Sequence, residues 1–170
     1  MNMTKKLMTL LLVMLVLTAC KDDGEVVYML PEKKPIQLSA EQKQMRDSNN
    51  EFAWRLFQTM QEQKGEVSTV LSPISVTYML GMLNAGAAGT TRDEITATLG
   101  FGSDPTAVNE FCKKMIEGAP NVDPAATVKI ANCINVNSAK GLSLLKQYVN
   151  DMKNYYSAQV EDLDFTKSST

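Results

Sequence analysis

Few residues of this chain could carry chemistry, because the sequence contains no histidine. Without an imidazole there is no Ser-His or Cys-His nucleophile pair and no histidine-bound metal site. Two acidic groups could form a carboxylate pair or a calcium site: Asp93-Glu94 and Glu161-Asp162-Asp164. Helix capping and surface charge explain them more simply, since acidic residues stabilise the first turn of a helix. We therefore expect no catalytic residue, no metal and no cofactor, and we do not expect an enzyme.

Three cysteines are the other reactive side chains. Cys112 falls on the apolar stripe of a predicted helix, and Cys133 falls on a predicted strand. In an oxidising compartment these two could pair, but small buried cysteines are common in protein cores. We favour two free thiols without a metal role, because two ligands alone do not make a zinc site.

The third cysteine, Cys20, ends a segment with the layout of a secretory signal. Lys5-Lys6 precede an apolar run over residues 7–17, and small residues lead up to the cysteine. This run is too short for a membrane span, which needs about 20 residues. The ending Leu17-Thr18-Ala19-Cys20 resembles a bacterial lipobox, in which the cysteine becomes the first mature residue and receives lipid. An ordinary cleaved signal with an incidental cysteine is the alternative.

Residues 1–19 are therefore interpreted as a signal peptide and residues 20–38 as a lipid anchor and tether. Lys21-Asp22-Asp23 resembles the surface-export signal of some Gram-negative lipoproteins, although it could equally begin a solvated linker. The residues that follow show no helical period and contain Pro31 and Pro35, as in a tether. These features predict a bacterial outer membrane lipoprotein, held to the membrane through lipid on Cys20 and facing the cell exterior.

Charge argues against a nucleic-acid partner. The formal net charge is −2, and the 17 lysines and arginines are scattered instead of forming one basic face. The glycines between Gly81 and Gly89 lie late in a predicted helix and not after a strand, so they do not make a phosphate-binding loop.

Two helices are predicted in the first half of the chain. Ser39 to Gln42 form a capping box for a helix that ends near Gly65. Trp54 should be packed on this helix, whose apolar face comprises Met45, Phe52, Leu56 and Met60. Ser72-Pro73 begins the next helix, because proline fits the first helical position.

This second helix should be buried on all sides. Residues 74–87 are apolar or small at nearly every position. Thr91 to Glu94 then form a capping box for a short helix that is closed by Gly100.

The remaining elements alternate between helix and strand. Asp104-Pro105 starts an amphipathic helix that stops at Gly118, and residues 127–136 alternate as a half-buried strand does. A helix from Gly141 to about Tyr155 follows, with an apolar side of Leu142, Leu145, Val149 and Met152. A second strand covers residues 157–165. The chain is thus predicted to be α+β and dominated by helices.

Five motifs in order resemble the serpin family. They are residues 49–57, Ser72-Pro73-Ile74-Ser75, the Gly86 to Thr91 turn with Asp93-Glu94-Ile95, residues 131–136, and residues 155–165. The resemblance runs from about residue 47 to about residue 165. It implies that residues 39–170 are the N-terminal part of a serpin-like multi-domain fold, truncated to well under half and holding two strands of the main sheet.

The resemblance also implies a function for the whole domain. Serpins inhibit serine or cysteine proteases: an exposed bait loop is cleaved and inserts into the main sheet. The bait loop is absent from this sequence, so no reactive-centre residue is predicted and the 170-residue chain alone should be poorly stable and not inhibitory. Ser72 and Ser75 match the serpin positions that control sheet opening, but plain helix capping is the alternative. A small self-contained cell-surface lipoprotein acting as a binding module, or a non-inhibitory serpin, are the other functional hypotheses.

Overall fold

The structure, a computed structural model, describes residues 31–65, 67–137, 139 and 141–167. The predicted signal peptide and Cys20 lie outside these residues. The described part is helix-rich with one two-stranded sheet, which confirms the α+β prediction. In chain order the elements are α1 Ala40–Lys64, α2 Pro73–Gly86, α3 Gly89–Leu99, α4 Pro105–Gly118, the 3-10 turn Ala119–Asn121, β1 Asn132–Asn137, α5 Lys146–Tyr156 and β2 Ala158–Leu163.

The first helix begins as its capping box predicts. The Ser39 hydroxyl accepts from the Gln42 N–H at 3.1 Å, and the Gln42 side chain accepts from the Ser39 N–H at 3.1 Å. Met45 and Phe52 are buried, as expected of the apolar face. The prediction of a packed Trp54 is wrong, because its side chain is 62% exposed on the outer side of α1, where it stacks on Phe57.

Helix α2 begins at Pro73, as predicted, but it is not buried on all sides. Its buried residues are Thr77, Tyr78, Gly81, Met82 and Asn84. Met79 and Leu83 are 47% and 53% exposed. Within the described part of the chain α2 packs against α1, α3, α4 and α5, which cover one side and leave these two side chains in solvent.

Helix α3 begins two residues before its predicted capping box. Gly89 opens the helix with a φ of +55°, a backbone conformation that favours glycine. Thr91 therefore lies inside the first turn and cannot be the N-cap, so that prediction is wrong. The predicted end is confirmed: Gly100 has a φ of +69° and its N–H donates to the Ala97 carbonyl at 3.2 Å.

The two strands are parallel and are joined through α5, since parallel neighbours need a crossover connection. Asn132 pairs with Ala158 and Asn137 with Leu163. The first strand is shorter than predicted, because residues 127–131 precede β1 in the chain but are not part of the sheet. Within β1 the predicted alternation holds, with Ile134 half-buried.

The predicted start of α5 at Gly141 is wrong. Gly141 has a φ of +65° and Leu145 is extended, so the helix begins only at Lys146. Leu142 and Leu145 are consequently 60% and 78% exposed and do not belong to the apolar side of the helix. Met152 is fully buried, as predicted.

One hydrophobic core joins the helices. Its fully buried members are Leu99 on α3, Val108, Phe111 and Cys112 on α4, and Met152 and Tyr156 on α5. Among the helices described between residues 31 and 167, none has both the length and the apolar character that crossing a bilayer requires.

Candidate functional site

The predicted sheet-opening residues form a hydroxyl pair at the start of α2. The oxygens of Ser72 and Ser75 lie 2.8 Å apart, and both residues are exposed. Ser72 occupies the N-cap position, but its side chain makes no capping hydrogen bond; its carbonyl accepts from the Ser75 N–H at 3.2 Å. Because a hydroxyl has one donor and two acceptor sites, the pair keeps free hydrogen-bonding capacity for a further partner. Control of sheet opening by this pair stays a prediction.

The hydroxyl pair stands at one end of an exposed apolar stripe. Ser75, Met79 and Leu83 are spaced four residues apart, so they share one face of α2. All three are exposed, although the face consists mainly of large apolar side chains. We call Met79 and Leu83 the α2 stripe. Because residues 74–87 are apolar or small at nearly every position, the sequence pattern does not indicate which face of α2 is left uncovered.

The stripe leads into an apolar cavity of about 550 Å³. Leu83 contributes to its wall together with Ile95 of α3, Ile134 of β1 and Tyr148 of α5. The Tyr148 hydroxyl donates to the Met82 carbonyl at 3.1 Å, and its ring lies over Gly86, where a Cβ atom would be 3.0 Å from the ring. This cavity is suited to apolar side chains or an apolar ligand.

Behind α2 lies a buried polar contact between α4 and α5. The Tyr156 hydroxyl donates to the Asn109 side-chain carbonyl at 2.8 Å, next to the Cys112 thiol. Burial raises the pKa of Cys112 to about 12, an effect that the hydrogen bond with Tyr156 partly offsets. Burial also raises the pKa of Tyr78 to about 12, with the Cys112 charge adding to the shift. This cluster holds helices together, and its thiol is not suited to nucleophilic chemistry, which needs the thiolate.

Cys112 on α4 and Cys133 on β1 do not form a disulfide. Cys112 is buried and Cys133 is exposed, and both are free thiols, as predicted. Asn135 lies close to Cys133, whose sulfur is 3.4 Å from the side-chain carbonyl oxygen.

The two acidic groups lie in different local settings. Asp93 and Glu94 are exposed in the second turn of α3, because the helix begins at Gly89, so the expectation that they stabilise its first turn is wrong. Asp164 closes a turn after β2, where it accepts from the Thr166 hydroxyl at 2.6 Å and from the Thr166 N–H at 3.0 Å. These hydrogen bonds, with a smaller contribution from Lys167, lower the pKa of Asp164 below its usual value. Within the described residues the two groups lie on separate elements.

The comparisons with known proteins identify the class. The family model described as "Serpin (serine protease inhibitor)" matches residues 47–170. This match covers most of the chain, and the chain belongs to the serpin family.

Individual relatives agree with this assignment. The chain is 26% identical to neuroserpin of Gallus gallus over 120 residues, which is 70% of this chain and 29% of that protein. It is 29% identical to alaserpin of Manduca sexta, covering 75% of this chain and 31% of that protein. It is 23% identical to corticosteroid-binding globulin of Pongo abelii, covering 84% and 35%. The chain thus spans about a third of the length of these relatives.

Solved structures confirm the predicted fold. The reactive-loop-cleaved human thyroxine-binding globulin superimposes with a TM-score of 0.66 at 26% identity, over 75% of this chain and 38% of that one. The cleaved Serpin 42Da gives a TM-score of 0.65 at 20% identity, over 74% and 32%. The described elements therefore correspond to part of a serpin fold.

Proposed function

We propose that this chain is the N-terminal portion of a serpin-type inhibitor of serine or cysteine proteases. The observation that carries the proposal is the serpin family match over residues 47–170, together with the superposition on serpin structures. Because the relatives are about three times as long as the matched segment, inhibition would belong to a longer product and not to these 170 residues.

In the proposed mechanism a protease cleaves an exposed loop, and the loop then enters the main sheet as a new strand. This is strand addition driven by the release of stored strain. β1 and β2 would be two strands of that sheet, and the Ser72–Ser75 hydroxyl pair would bond the strands that open. The 2.8 Å pair and the exposure of both residues support this role, because neither hydroxyl is committed to capping α2.

The exposed apolar surface of α2 supports the same proposal. Met79 and Leu83 are about half exposed on a helix whose composition suits complete burial. Each Å² of apolar surface left in water forgoes roughly 25 cal/mol of stabilisation. A further layer of a serpin-type domain would cover this surface, so the 170-residue chain alone should be poorly stable.

A protease assay tests the proposal. The product of the full reading frame, including any continuation after Thr170, should form a 1:1 complex with a serine or cysteine protease that survives denaturing electrophoresis. The chain ending at Thr170 should form none. Durable stoichiometric inhibition by residues 21–170 would contradict the second expectation. A stop codon after Thr170 followed by unrelated sequence would instead favour a small self-contained lipoprotein that acts as a binding module.

A non-inhibitory carrier is the second candidate. Relatives of this chain include corticosteroid-binding globulin and thyroxine-binding globulin, which are named for binding and not for inhibition. The apolar cavity of about 550 Å³ would suit an apolar ligand. Saturable binding of an apolar compound, without a covalent complex with any protease tested, would favour the carrier.

We also propose that the protein is a lipoprotein of the bacterial outer membrane. The support is the lipobox-like Leu17 to Cys20 sequence, and outward display is supported by Lys21-Asp22-Asp23. Several acyl chains would hold the protein firmly, at about 0.8 kcal/mol for each buried methylene. Cys20→Ala should abolish both incorporation of labelled fatty acid and recovery in the membrane fraction. Digestion of intact cells by an added protease should remove the wild-type protein if it faces outward.

A further inference from the structure

The last residues of the predicted tether are docked on the helical domain. The Lys34 N–H donates to the Val122 carbonyl at 2.8 Å, just after the 3-10 turn. The Lys33 ammonium lies 3.4 Å from the Asp123 carboxylate. Ile36 and Leu38 are half-buried while Pro35 and Gln37 are exposed, the alternation of an extended segment lying on a surface.

Ile36 fits against a glycine at the end of α4. A Cβ atom on Gly118 would lie 2.7 Å from Cγ1 and 2.8 Å from Cδ1 of Ile36. Isoleucine is stiff at χ1 because it is β-branched, so its side chain cannot easily turn away and the segment itself would have to move. Gly118 therefore provides the space in which the segment docks.

We propose that residues 33–38 form a strap that fixes the N-terminal segment to the C-terminal end of α4. The backbone hydrogen bond, the ion pair and the Ile36–Gly118 contact act at successive points along it. The N-terminal segment then leaves the domain at the corner formed by Gly118 and the turn after it. It does not leave at the first turn of α1.

The consequence for anchoring rests on the proposed lipid at Cys20. A free link from residue 21 to residue 38 could extend to about 63 Å, at about 3.5 Å per residue. With the strap docked, only residues 21–32 remain as a link, and they reach about 42 Å. The strap would thus shorten the maximum reach of the link by about 20 Å and would attach the link at the α4 corner.

Tryptic cleavage after Lys33 tests the strap directly, with the full chain as substrate and mass spectrometry as the readout. The next bond, between Lys34 and Pro35, resists trypsin, so one cut reports on the segment. Two variants should release the strap: Gly118→Ala, which removes the space for Ile36, and Ile36→Ser, which leaves α4 unaltered. Gly102→Ala is the matched control, because among the described residues no atom beyond the two chain neighbours lies within 4 Å of a Cβ at that position.

We expect cleavage after Lys33 to be about tenfold faster in both variants than in the wild type and in the control, because a docked segment must open locally before it is cut. Circular dichroism should show equal helix content in all four proteins. Equal cleavage rates in the wild type and Ile36→Ser would overturn the strap. Cys20→Ala should leave the cleavage rate unchanged, so loss of membrane association in that variant tests the anchor separately.

Discussion

Replacing Gly81 with alanine should loosen the packing between α2 and α5. A Cβ atom on Gly81 would lie 2.7 Å from the Tyr156 hydroxyl oxygen and 3.2 Å from the Cys112 sulfur. Both partners are fully buried, and the tyrosine hydroxyl is held at 2.8 Å from the Asn109 carbonyl oxygen. The tyrosine must therefore move, and its movement strains that hydrogen bond.

Three effects set the size of the change. Overpacking in a dense core costs about 1–3 kcal/mol, and disturbing a buried hydrogen bond costs about 1 kcal/mol more. Alanine in place of glycine in a helix offsets about 1 kcal/mol. The net loss of stability is about 1–3 kcal/mol, which corresponds to about 5- to 150-fold more frequent opening of the core.

The Cys112 thiol provides a local assay for this opening. A short pulse of a thiol reagent under native conditions labels Cys112 only when the core opens, and peptide mass spectrometry measures the labelled fraction. The exposed Cys133 thiol serves as an internal reference in the same sample. Gly102→Ala is the matched control and should label like the wild type, because a Cβ there would contact no other described part of the chain.

A double-mutant cycle decides whether the contact with Tyr156 is the cause. Tyr156→Phe removes the hydroxyl that a Cβ on Gly81 would strike, so the cost of Gly81→Ala should fall by about 1 kcal/mol in that background. If the two substitutions raise Cys112 labelling independently, so that their free-energy costs simply add, the steric reasoning is refuted.

Three further predictions address the cap, an unpaired amide and pH. Ser39→Ala should cost about 1 kcal/mol by removing the cap of α1, seen as about fivefold faster amide exchange at Gln42; unchanged exchange would contradict it. Asn84 is fully buried, and among the described residues its side-chain amide has no hydrogen-bond partner. Asn84→Leu should therefore raise the free energy of unfolding by about 1 kcal/mol, seen as a higher urea midpoint. A lower midpoint would count against this. Because the pKa of Cys112 is raised from 9.0 to about 12 and that of Tyr78 from 10.0 to about 12, stability should be intact below pH 9 and decline as pH rises towards about 12. A flat urea midpoint over that range would disprove the shift.

Local signals in the sequence predicted element starts and ends where one residue decides them. The Ser39 capping box, Pro73, the Asp104 cap and Gly100 each act within a few residues, and the structure has all four. Asp104 accepts from the Thr106 N–H at 2.8 Å, for example. The five ordered motifs between residues 49 and 165 also indicate the serpin family, which the family match over residues 47–170 confirms.

Properties that depend on neighbouring elements were not predictable in this way. The sequence from Thr91 to Glu94 matches a capping box, but α3 begins earlier, at Gly89, whose φ of +55° favours glycine. Trp54 has the large apolar side chain typical of a core residue, yet no described element covers it. Leu142 and Leu145 lie before the helix start at Lys146, and a short apolar run in a sequence does not distinguish an extended segment from a helix face.

The same limit applies to α2, and there it is informative. A helix on the surface of a self-contained domain has a polar outer face, whereas the outer face of α2 carries Met79 and Leu83 after the hydroxyl pair. Its inner face is already fully packed against α4 and α5 through Gly81, where even a methyl group would clash. The composition of α2 therefore suits a helix that is covered on both sides, but in the described part of the chain neighbouring elements cover only one side. A second protein layer over the stripe would resolve this difference, and in the proposed serpin-type inhibitor that layer would be the sheet that is predicted to open over Ser72 and Ser75.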